Sequence, residues 1–276
     1  MIPINLFDHC NNVPHTDRCS GTHGKASKIF EYVYDGSGLF DIFTKHWFDK
    51  ANRYGHTDLK IGWLLEAKTI SPGWYNILKE RKNFYFEEIG FNRIYTYDQE
   101  LLDLDDRFFK MCPGNGFWIK EPKLYEKTKL LSMINSNKNM CPGHKVRKNI
   151  MEKWKPHLDL FGTGINPIEF KEEGLCDYMF SIVCENEIQK NSVSEKILDC
   201  FACGTVPIYL GHLESVKELG FNLNGIIPYN DDLSVKDLDE KLYISMENEI
   251  KENLERVKKF EVLIDYTFGD IINVKK

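Results

Sequence analysis

Residues 178–184 (YMFSIVC), 195–203 (EKILDCFAC) and 205–210 (TVPIYL) make up most of the stretch that decides the fold. The first segment is a continuous apolar run, which is typical of a strand buried on both faces of a parallel sheet. The second segment predicts a helix that ends at Gly204, and the third predicts the next strand. A strand, a helix and another strand in this order indicate an α/β fold.

The same alternation continues on both sides of this stretch. Short apolar runs predict further strands, and apolar residues at helical spacing predict further helices. Residues 28–34 and 41–50 fit a strand or a helix equally well, and the Pro-Gly pairs within 112–116 and 141–144 predict turns. The further strands are expected at 4–7, 60–65, 93–97, 130–134, 158–161 and 226–228, and the further helices at 74–82 and 146–154.

The pattern divides the chain into two α/β halves that join near residues 120–128. The N-terminal domain is expected at 1–125 and the C-terminal domain at 126–260. Residues 235–260 within the second domain predict a charged helix with one apolar stripe and one solvated face. Residues 261–276 form a tail that could pack back on the N-terminal domain.

Composition excludes several classes of protein. With 42% hydrophobic and 13% aromatic residues, the 276-residue chain can bury a large core, so it is neither disordered nor a small disulfide scaffold. The formal charge of −6 provides no basic field for a nucleic-acid backbone. The longest apolar runs have about six residues, whereas a membrane span needs roughly 20. With no secretion signal at the start, the sequence predicts a cytoplasmic location, no nucleic-acid partner and no membrane span, and it leaves the oligomeric state open.

The segment 186–196 is the first candidate for a ligand site. It follows the carboxyl end of a predicted strand, where open α/β sheets bind their ligands. Ser192 and Glu195 have the spacing of a capping box, in which each side chain accepts a hydrogen bond from the other residue's amide. A helix N-terminus with Lys196 in its first turn is also suited to bind a phosphate. Both interpretations can hold together.

Residues 180–211 resemble the donor-site signature of the α1,3-fucosyltransferases, glycosyltransferase family 10. The signature contains Phe-x-x-x-x-Glu-Asn, which residues 180–186 match, and Tyr-x-Thr-Glu-Lys, which residues 192–196 match in part. It ends with Gly-Thr-(Val/Ile)-Pro-(Ile/Val)-Tyr and a Gly, as residues 204–211 do. Residues 136–139 and 147–149 are similar to the family's Ser-Asn-x-x and Arg-Asn elements, and the resemblance is strongest over 129–230.

The resemblance implies a GT-B fold, in which two Rossmann-like domains face each other across a cleft. Residues 1–125 would bind the acceptor, and residues 126–260 would hold the nucleotide sugar. Members of the family invert the anomeric centre by direct displacement, generally without a metal ion. The resemblance therefore implies an inverting, metal-independent glycosyltransferase with a glycan or glycoprotein acceptor and no cofactor apart from the nucleotide-sugar co-substrate.

The resemblance also assigns a donor pocket. A diphosphate that departs without a metal ion needs cations to stabilise its charge, and Arg147 and Lys196 occupy the matching positions. Glu195 would contact the nucleotide ribose or nearby hydroxyls, and Glu185 and Asn186 would lie near the sugar and the diphosphate. The other residues expected in the pocket are Asn137, Ser192 and Ser194.

Displacement also needs a base that takes the proton of the acceptor hydroxyl, and a carboxylate is the usual choice. Glu66 follows the apolar run at 60–65 and precedes a Ser-Pro pair, which resembles the family's arrangement at the base. The other interpretation of Glu66 is an ordinary exposed glutamate at a strand end. Glu87 and Glu88 are the alternative candidates for the base.

One position departs from the family pattern. The family usually has Tyr where this chain has Ser192, so the ring and the phenol that would reach the donor are missing. GDP-fucose is the donor that the resemblance implies, and a UDP-sugar such as UDP-xylose is the alternative. An alternative of another class is a non-catalytic nucleotide- or glycan-binding protein with the same fold.

Three other patterns do not predict a site. Cys200 and Cys203 lie inside a predicted helix without a second ligand pair nearby, which indicates buried thiols. Residues 21–26 lack the first Gly and the final Ser or Thr of a phosphate-binding loop. The spacing of a group of His and Cys residues near the start fits no standard metal site. These residues are His9, Cys10, His15, Cys19 and His23.

Two further groups have structural or accessory roles in this interpretation. Asp8 and His9 follow the first strand and are expected to line the acceptor side of the cleft. Four tryptophans are expected in the core rather than at a sugar-binding surface. They are Trp63, Trp74, Trp118 and Trp154.

Overall fold

The chain folds into two compact units. The computed structural model describes residues 1–8, 26–33, 35–111 and 116–273. One unit consists of Met1–Gly116 together with Val262–Lys276, and the other is Phe117–Glu261. The division between residues 116 and 117 comes slightly earlier in the chain than the predicted boundary between 125 and 126. Each unit has its own sheet, helices and hydrophobic core.

The first unit contains a six-stranded sheet in which all neighbouring strands are parallel. The strand order is 2-1-3-4-5-6, so the direction of winding reverses between the first and third strands. The carboxyl ends of these two strands flank the position where such sheets bind ligands. The strands are β1 Ile2–Phe7, β2 Phe30–Val33, β3 Asp41–Thr44, β4 Lys60–Trp63, β5 Phe91–Thr96 and β6 Phe108–Lys110.

Between residues 1 and 116, the described α-helices of the first unit are short except for the one at Pro72–Asn83. The sequence left 41–50 open between strand and helix, and it forms both: β3 followed by a 3-10 helix at Lys45–Lys50. A π-helix at Phe84–Glu88 continues from the second α-helix. The α-helices are α1 Ala51–Tyr54, α2 Pro72–Asn83 and α3 Gln99–Leu102.

The second unit contains a five-stranded parallel sheet. Numbered from the first strand of the unit, its order is again 2-1-3-4-5, and the winding reverses between its first and third strands. The predicted strand at 178–184 is confirmed to the residue. The strands are β7 Lys129–Ile134, β8 Asp159–Phe161, β9 Tyr178–Cys184, β10 Val206–Leu210 and β11 Ile227–Pro228.

Two predictions about the helices of the second unit are wrong. The Pro-Gly pair at 142–143 does not form a turn, because Pro142 occupies the first position of a helix, where proline has no amide hydrogen bond to lose. The helix predicted at 235–260 is broken into two helices and two 3-10 turns, because Asp239 caps a new helix at Leu242 N–H. The helices are α4 Pro142–Trp154, α5 Glu172–Leu175, α6 Glu195–Cys203, α7 Leu213–Glu218, α8 Glu240–Ser245 and α9 Glu247–Val257.

The last helix, α10 (Leu263–Asn273), belongs to the first unit. Phe268 is fully buried, and its ring packs edge-on against Trp63 and Tyr95 with centroid distances of 5.1 and 5.0 Å. Asp265 accepts a hydrogen bond from the Lys28 amide at 2.8 Å. The core of the first unit is therefore completed by the end of the chain. Within the described part of the chain, every helix is too short or too polar to pass through a lipid bilayer.

Candidate active site

A cavity of about 290 Å³ lies at the carboxyl edge of the second sheet, where β7 and β9 end. This is the switch point of the strand order, the position at which doubly wound sheets bind ligands. Its wall combines the end of β7, the second half of β9, the first two turns of α6 and one residue of α4. Its charged lining consists of Lys138, Arg147, Lys171, Lys196, Glu195 and Asp199.

The N-terminus of α6 differs from the predicted capping box. Ser194, and not Ser192, is the N-cap residue, and its Oγ accepts a hydrogen bond from the Lys196 amide at 3.3 Å. Ser192 lies before the cap, and its own amide donates to Gln189 O. The sequence has two serines separated by one residue, and only the backbone geometry decides which of them caps the helix. The predicted pairing of Ser192 with Glu195 is therefore wrong.

Glu185 connects three elements behind the cavity. It is buried immediately after β9, and its Oε1 accepts from the Ser194 amide at 3.0 Å and from the Tyr209 hydroxyl at 3.1 Å. Its Oε2 lies 3.9 Å from Lys196 Nζ. Glu185 thus holds the start of α6 against β9 and β10. Because the Ser194 and Lys196 amides are bound to protein side chains, the cationic side chains are the main groups at this helix end that can bind an anion.

Lys196 and Glu195 both line the cavity and contact each other. Lys196 Nζ lies 3.1 Å from Ser194 Oγ and 3.3 Å from Glu195 Oε1. The Lys196 side chain keeps a quarter of its surface exposed, and Glu195 keeps 16%. Both charged groups can therefore reach a ligand without first breaking a fully buried contact.

Arg147 approaches the same cavity from α4. Its side chain is buried, and Nη2 donates to Cys184 O at 2.9 Å and to Asn186 Oδ1 at 2.7 Å. Nε is also buried, and no acceptor reaches it among the described residues. A buried donor without a partner is costly unless a ligand completes it. The hydrogen bond to Asn186 brings together two of the residues that were predicted separately for the donor pocket.

Close packing fixes the position of α4 relative to β9. A side chain at Gly143 would place its Cβ only 2.2 Å from Asn186 O, so the first turn of α4 can reach the end of β9 only with glycine there. In the same turn, His144 is buried and its Nδ1 accepts from the Met140 amide at 2.9 Å. Burial, followed by the charges of Arg147 and the neighbouring lysines, lowers the pKa of His144. The imidazole is therefore neutral at pH 7.

Two residues of the cavity were not found from the sequence. Lys171 precedes α5, and its Nζ lies 2.8 Å from Asp199 Oδ2 on α6 and 3.9 Å from Glu195 Oε1. Burial raises the pKa of Asp199, although Lys171 opposes this effect. Burial alone would lower the pKa of Lys171, but the carboxylates of Asp199 and Glu195 together outweigh it and raise that pKa. Lys171 therefore stays protonated.

Of the eight predicted donor-pocket residues, Arg147, Glu195 and Lys196 line the cavity, and Asn137 and Ser192 are among the five that do not. Asn137 is exposed, and its amide donates to Thr163 O at 3.1 Å, while its neighbours Ser136 and Lys138 line the wall. Ser192 is half-buried in the loop before α6 and also lies outside the lining. The structure brings together the other six predicted residues, which are Arg147, Glu185, Asn186, Ser194, Glu195 and Lys196.

Glu66 lies in the first unit, just beyond the carboxyl end of β4. Its backbone oxygen accepts from the Tyr75 hydroxyl at 2.6 Å and from the Tyr97 hydroxyl at 3.2 Å, so two tyrosines fix this turn. The side chain is exposed, and no hydrogen bond or ion pair holds its carboxylate among the described residues. Lys45 is close enough to feel its charge: burial lowers the pKa of Lys45, and Glu66 opposes this effect.

The alternative bases lie at the other edge of the sheet. Glu87 and Glu88 are exposed in the π-helix that precedes β5, so they lie near the amino end of that strand. In contrast, Glu66 and Asp8 follow the carboxyl ends of their strands. Asp8 is buried, and its Oδ1 accepts from the Thr44 hydroxyl at 3.2 Å. His9, which the sequence placed beside Asp8, lies outside the described residues.

The structure describes some of the residues that were not predicted to form a site. Cys200 and Cys203 are buried in α6, as predicted. Trp63 and Trp154 are core residues, as predicted, and Trp74 packs partly buried against the core of the first unit. Trp118 is 40% exposed, so its prediction as a core residue is wrong. Residues 9–25 and 112–115 lie outside the described residues. They include the whole group of His and Cys residues near the start and most of the segment 21–26.

The potential metal ligands of the described residues do not form a cluster. Within 1–8, 26–33, 35–111 and 116–273, no group of three or more His, Cys, Asp or Glu side chains is arranged to hold a metal ion. The acidic residues nearest to the cavity are instead paired with lysines.

Solved structures with a similar fold include an α1,3-fucosyltransferase with GDP. It is 15% identical, with a TM-score of 0.51, over 99% of this chain and 88% of that chain. The fold of this chain is similar to that of an α1,3-fucosyltransferase. The likeness confirms the predicted α/β fold of the GT-B type, with two Rossmann-like units. No protein-family model matches the sequence, and no curated protein matches it either.

Two further solved structures match at lower TM-scores. An α1,3-fucosyltransferase with GDP-fucose is 14% identical over 93% of this chain and 81% of that chain, with a TM-score of 0.44. A variant of S. aureus TarM, in complex with fondaparinux, α-GlcNAc-glycerol and UDP, is 11% identical over 84% of this chain and 54% of that chain, with a TM-score of 0.47.

Proposed function

We propose that this protein is a glycosyltransferase that binds a nucleoside diphosphate sugar in the cavity of the second unit. The observation that carries the proposal is the charge of this cavity. Four cationic side chains and two carboxylates line it, which leaves an excess of two positive charges. A nucleotide sugar carries one negative charge on each of its two phosphates, so the cavity and the diphosphate are complementary in charge.

Arg147 supports the same ligand. Its guanidinium is fixed by Cys184 O and Asn186 Oδ1, while its buried Nε has no acceptor among the described residues. A phosphate oxygen would supply that acceptor and a charge-assisted hydrogen bond. Lys196, which also lines the cavity, would provide a second cation for the diphosphate. Glu195, which lies beside Lys196, would then bind hydroxyls of the ribose, as the family resemblance implies.

The proposed reaction is a direct displacement that inverts the anomeric centre. Glu66 takes the proton of the acceptor hydroxyl, the acceptor oxygen forms a bond to the anomeric carbon, and the bond to the diphosphate breaks. Arg147 and Lys196 stabilise the charge of the departing diphosphate, which is the task that a metal ion performs in other transferases. The role of Glu66 as the base is supported by its exposed carboxylate and by its position at the carboxyl edge of the sheet, where open α/β sheets bind ligands.

The donor is the part of the proposal that the resemblance leaves most open. GDP-fucose is the first candidate, and a UDP-sugar such as UDP-xylose is the alternative. Ser192 supplies no aromatic ring and does not line the cavity, so the family's tyrosine contact has no counterpart at this position. The nucleobase and the sugar of the donor must therefore be recognised by other residues. The glycan acceptor and the cytoplasmic location also stay predictions.

Binding is tested by thermal shift and calorimetry with GDP, UDP and CDP, because a ligand of the folded state raises the melting temperature. We expect one nucleotide to bind to the wild-type protein and Lys196→Met to weaken it about tenfold or more. Lys190→Met is the matched control, because Lys190 is exposed in the same loop and lies outside the cavity lining. Absence of binding for all three nucleotides would contradict the proposal.

Turnover separates an enzyme from a binding protein. The proposal predicts release of free nucleoside diphosphate from one nucleotide sugar, with a rate that falls in Lys196→Met and is retained in Lys190→Met. Binding without release from any donor, with a range of glycan acceptors present, would favour the non-catalytic alternative. The anomeric configuration of the product, read by NMR, tests inversion.

A further inference from the structure

Lys171 and Asp199 form an ion pair that reaches the cavity from behind Glu195. Asp199 is completely buried in α6, one helical turn after Glu195. Its Oδ2 lies 2.8 Å from Lys171 Nζ, and its Oδ1 accepts from the Trp118 amide at 2.6 Å. A buried carboxylate is tolerated only when it is paired and hydrogen-bonded, and Asp199 is both.

The position of Lys171 is more informative than the pair itself. Its side chain is one quarter exposed and lines the cavity, so it is not an internal strut between α5 and α6 alone. Its Nζ also lies 3.9 Å from Glu195 Oε1, and Lys196 Nζ lies 3.3 Å from the same oxygen. Glu195 Oε1 therefore has an ammonium group on each of two sides.

We propose that Lys171 is a positioning residue of the donor site: anchored by Asp199, it holds Glu195 in the orientation that binds the ribose hydroxyls. The inference rests on the proposed function for the identity of the ligand. Asp199 fixes the ammonium group, the ammonium group fixes Oε1 of Glu195, and the carboxylate then faces a hydroxyl pair rather than rotating toward Lys196 alone. Lys171 acts through Glu195 and does not itself contact the sugar ring.

The test compares two ligands that differ only in the ribose. Binding of the nucleoside diphosphate that the wild type prefers is measured by calorimetry, alongside its 2′,3′-dideoxy analogue. We expect Lys171→Met to weaken binding of the ribonucleotide about tenfold and binding of the dideoxy analogue less than about twofold, since only the ribonucleotide has hydroxyls that Glu195 can bind. Glu195→Gln is expected to show the same selective loss. Lys171→Arg keeps the charge and is expected to recover most of the affinity.

A variant that leaves Asp199 buried without its partner could fail to fold. The double variant Lys171→Met with Asp199→Asn removes both charges together and avoids this cost. It is expected to keep the melting temperature of the wild type within a few degrees and to show the same selective loss of ribonucleotide binding. An equal loss for both ligands would overturn the inference, because it would mean that Lys171 either binds the phosphates directly or supports the fold alone.

A crystal structure of the double variant provides a readout that does not depend on nucleotide binding. We expect the Glu195 carboxylate to rotate out of its present orientation and toward Lys196 when Lys171 is removed. An unchanged Glu195 would contradict the inference. If the wild-type protein binds no nucleotide, the proposed function fails, and the position of Glu195 in the variant still decides the role of Lys171.

Discussion

The two units share one strand order and differ in what they present at its carboxyl edge. Both sheets are parallel and reverse their winding between the first and third strands. The edge of the first sheet presents Asp8 and Glu66, whereas that of the second presents Arg147, Lys171 and Lys196 around a cavity. The topology is thus the same at both edges, and the side chains alone make one edge acidic and the other mainly cationic.

The largest effect is expected at the edge of the first sheet. Glu66→Gln removes the proposed base and keeps its size, so kcat should fall about 100- to 10,000-fold while the affinity for the nucleotide stays the same. Activity is measured by release of nucleoside diphosphate, and affinity by calorimetry. Glu88→Gln is the control, because Glu88 is exposed near the amino end of β5. A variant at Glu66 with full activity would remove the acidic edge from the mechanism.

The second effect is on the free energy of unfolding, for which one glycine from each unit is replaced by alanine. Gly162 has a φ of +120°, and a Cβ there would lie 1.7 Å from Asn135 O, whereas a Cβ at Gly73 would meet nothing within 4 Å. Gly162→Ala should lower the free energy of unfolding by roughly 3 kcal/mol, from backbone strain and the clash together. Gly73→Ala, in α2, should change it by less than about 1 kcal/mol, in the stabilising direction. Urea unfolding measures both, and equal effects would contradict the packing described at Gly162.

The third effect is on the affinity of the second edge. Arg147→Met should weaken nucleoside diphosphate binding about 10- to 100-fold, because it removes a buried cation and its charge-assisted hydrogen bonds. Lys148→Met is the control: the side chain follows Arg147 on the same helix and is exposed. Calorimetry with the preferred nucleotide compares the two variants. If both variants bind as the wild type does, the diphosphate is not held at this cavity.

The smallest effect is on the pH dependence of stability. Because burial lowers the pKa of His144, the unfolded chain binds a proton there at a higher pH than the folded chain does. Stability from this group is therefore full above the unfolded value of about 6.5 and is lost as the pH falls through and below it. His144→Asn keeps an acceptor for the Met140 amide and should flatten the fall in unfolding free energy between pH 7 and pH 5. His157→Asn, at an exposed position, should leave the slope as it is in the wild type.

The local signals of the sequence predicted β9 and α6 accurately. The apolar run at 178–184 and the glycine at 204, whose φ is +68°, define the ends of both elements. α4 begins four residues earlier than predicted, because proline favours a turn and a first helical position alike, and Pro142 takes the latter. Signals that depend on a single residue with two structural uses are therefore the ones that sequence analysis interprets wrongly.

The part of the site that the sequence missed is the part that depends on distant pairing. Lys171 and Asp199 are 28 positions apart, and no local spacing connects them. A signal was nevertheless present: Asp199 is an acidic residue within the apolar run of α6, where an unpaired carboxylate would be costly. Its partner could not be named, because the approach of α5 to α6 depends on the tertiary fold.

The return of α10 to the first unit has a consequence for how the protein forms during synthesis. The ring of Phe268 packs in the core at Trp63 and Tyr95, so the first unit lacks part of its interior until α10 has been made. The second unit is continuous in sequence and can fold while the ribosome is still at work. At roughly 5–20 residues per second, its translation takes on the order of ten seconds, during which an aromatic surface of the first unit waits uncovered. The core of the first unit is thus completed only after the whole second unit has been made.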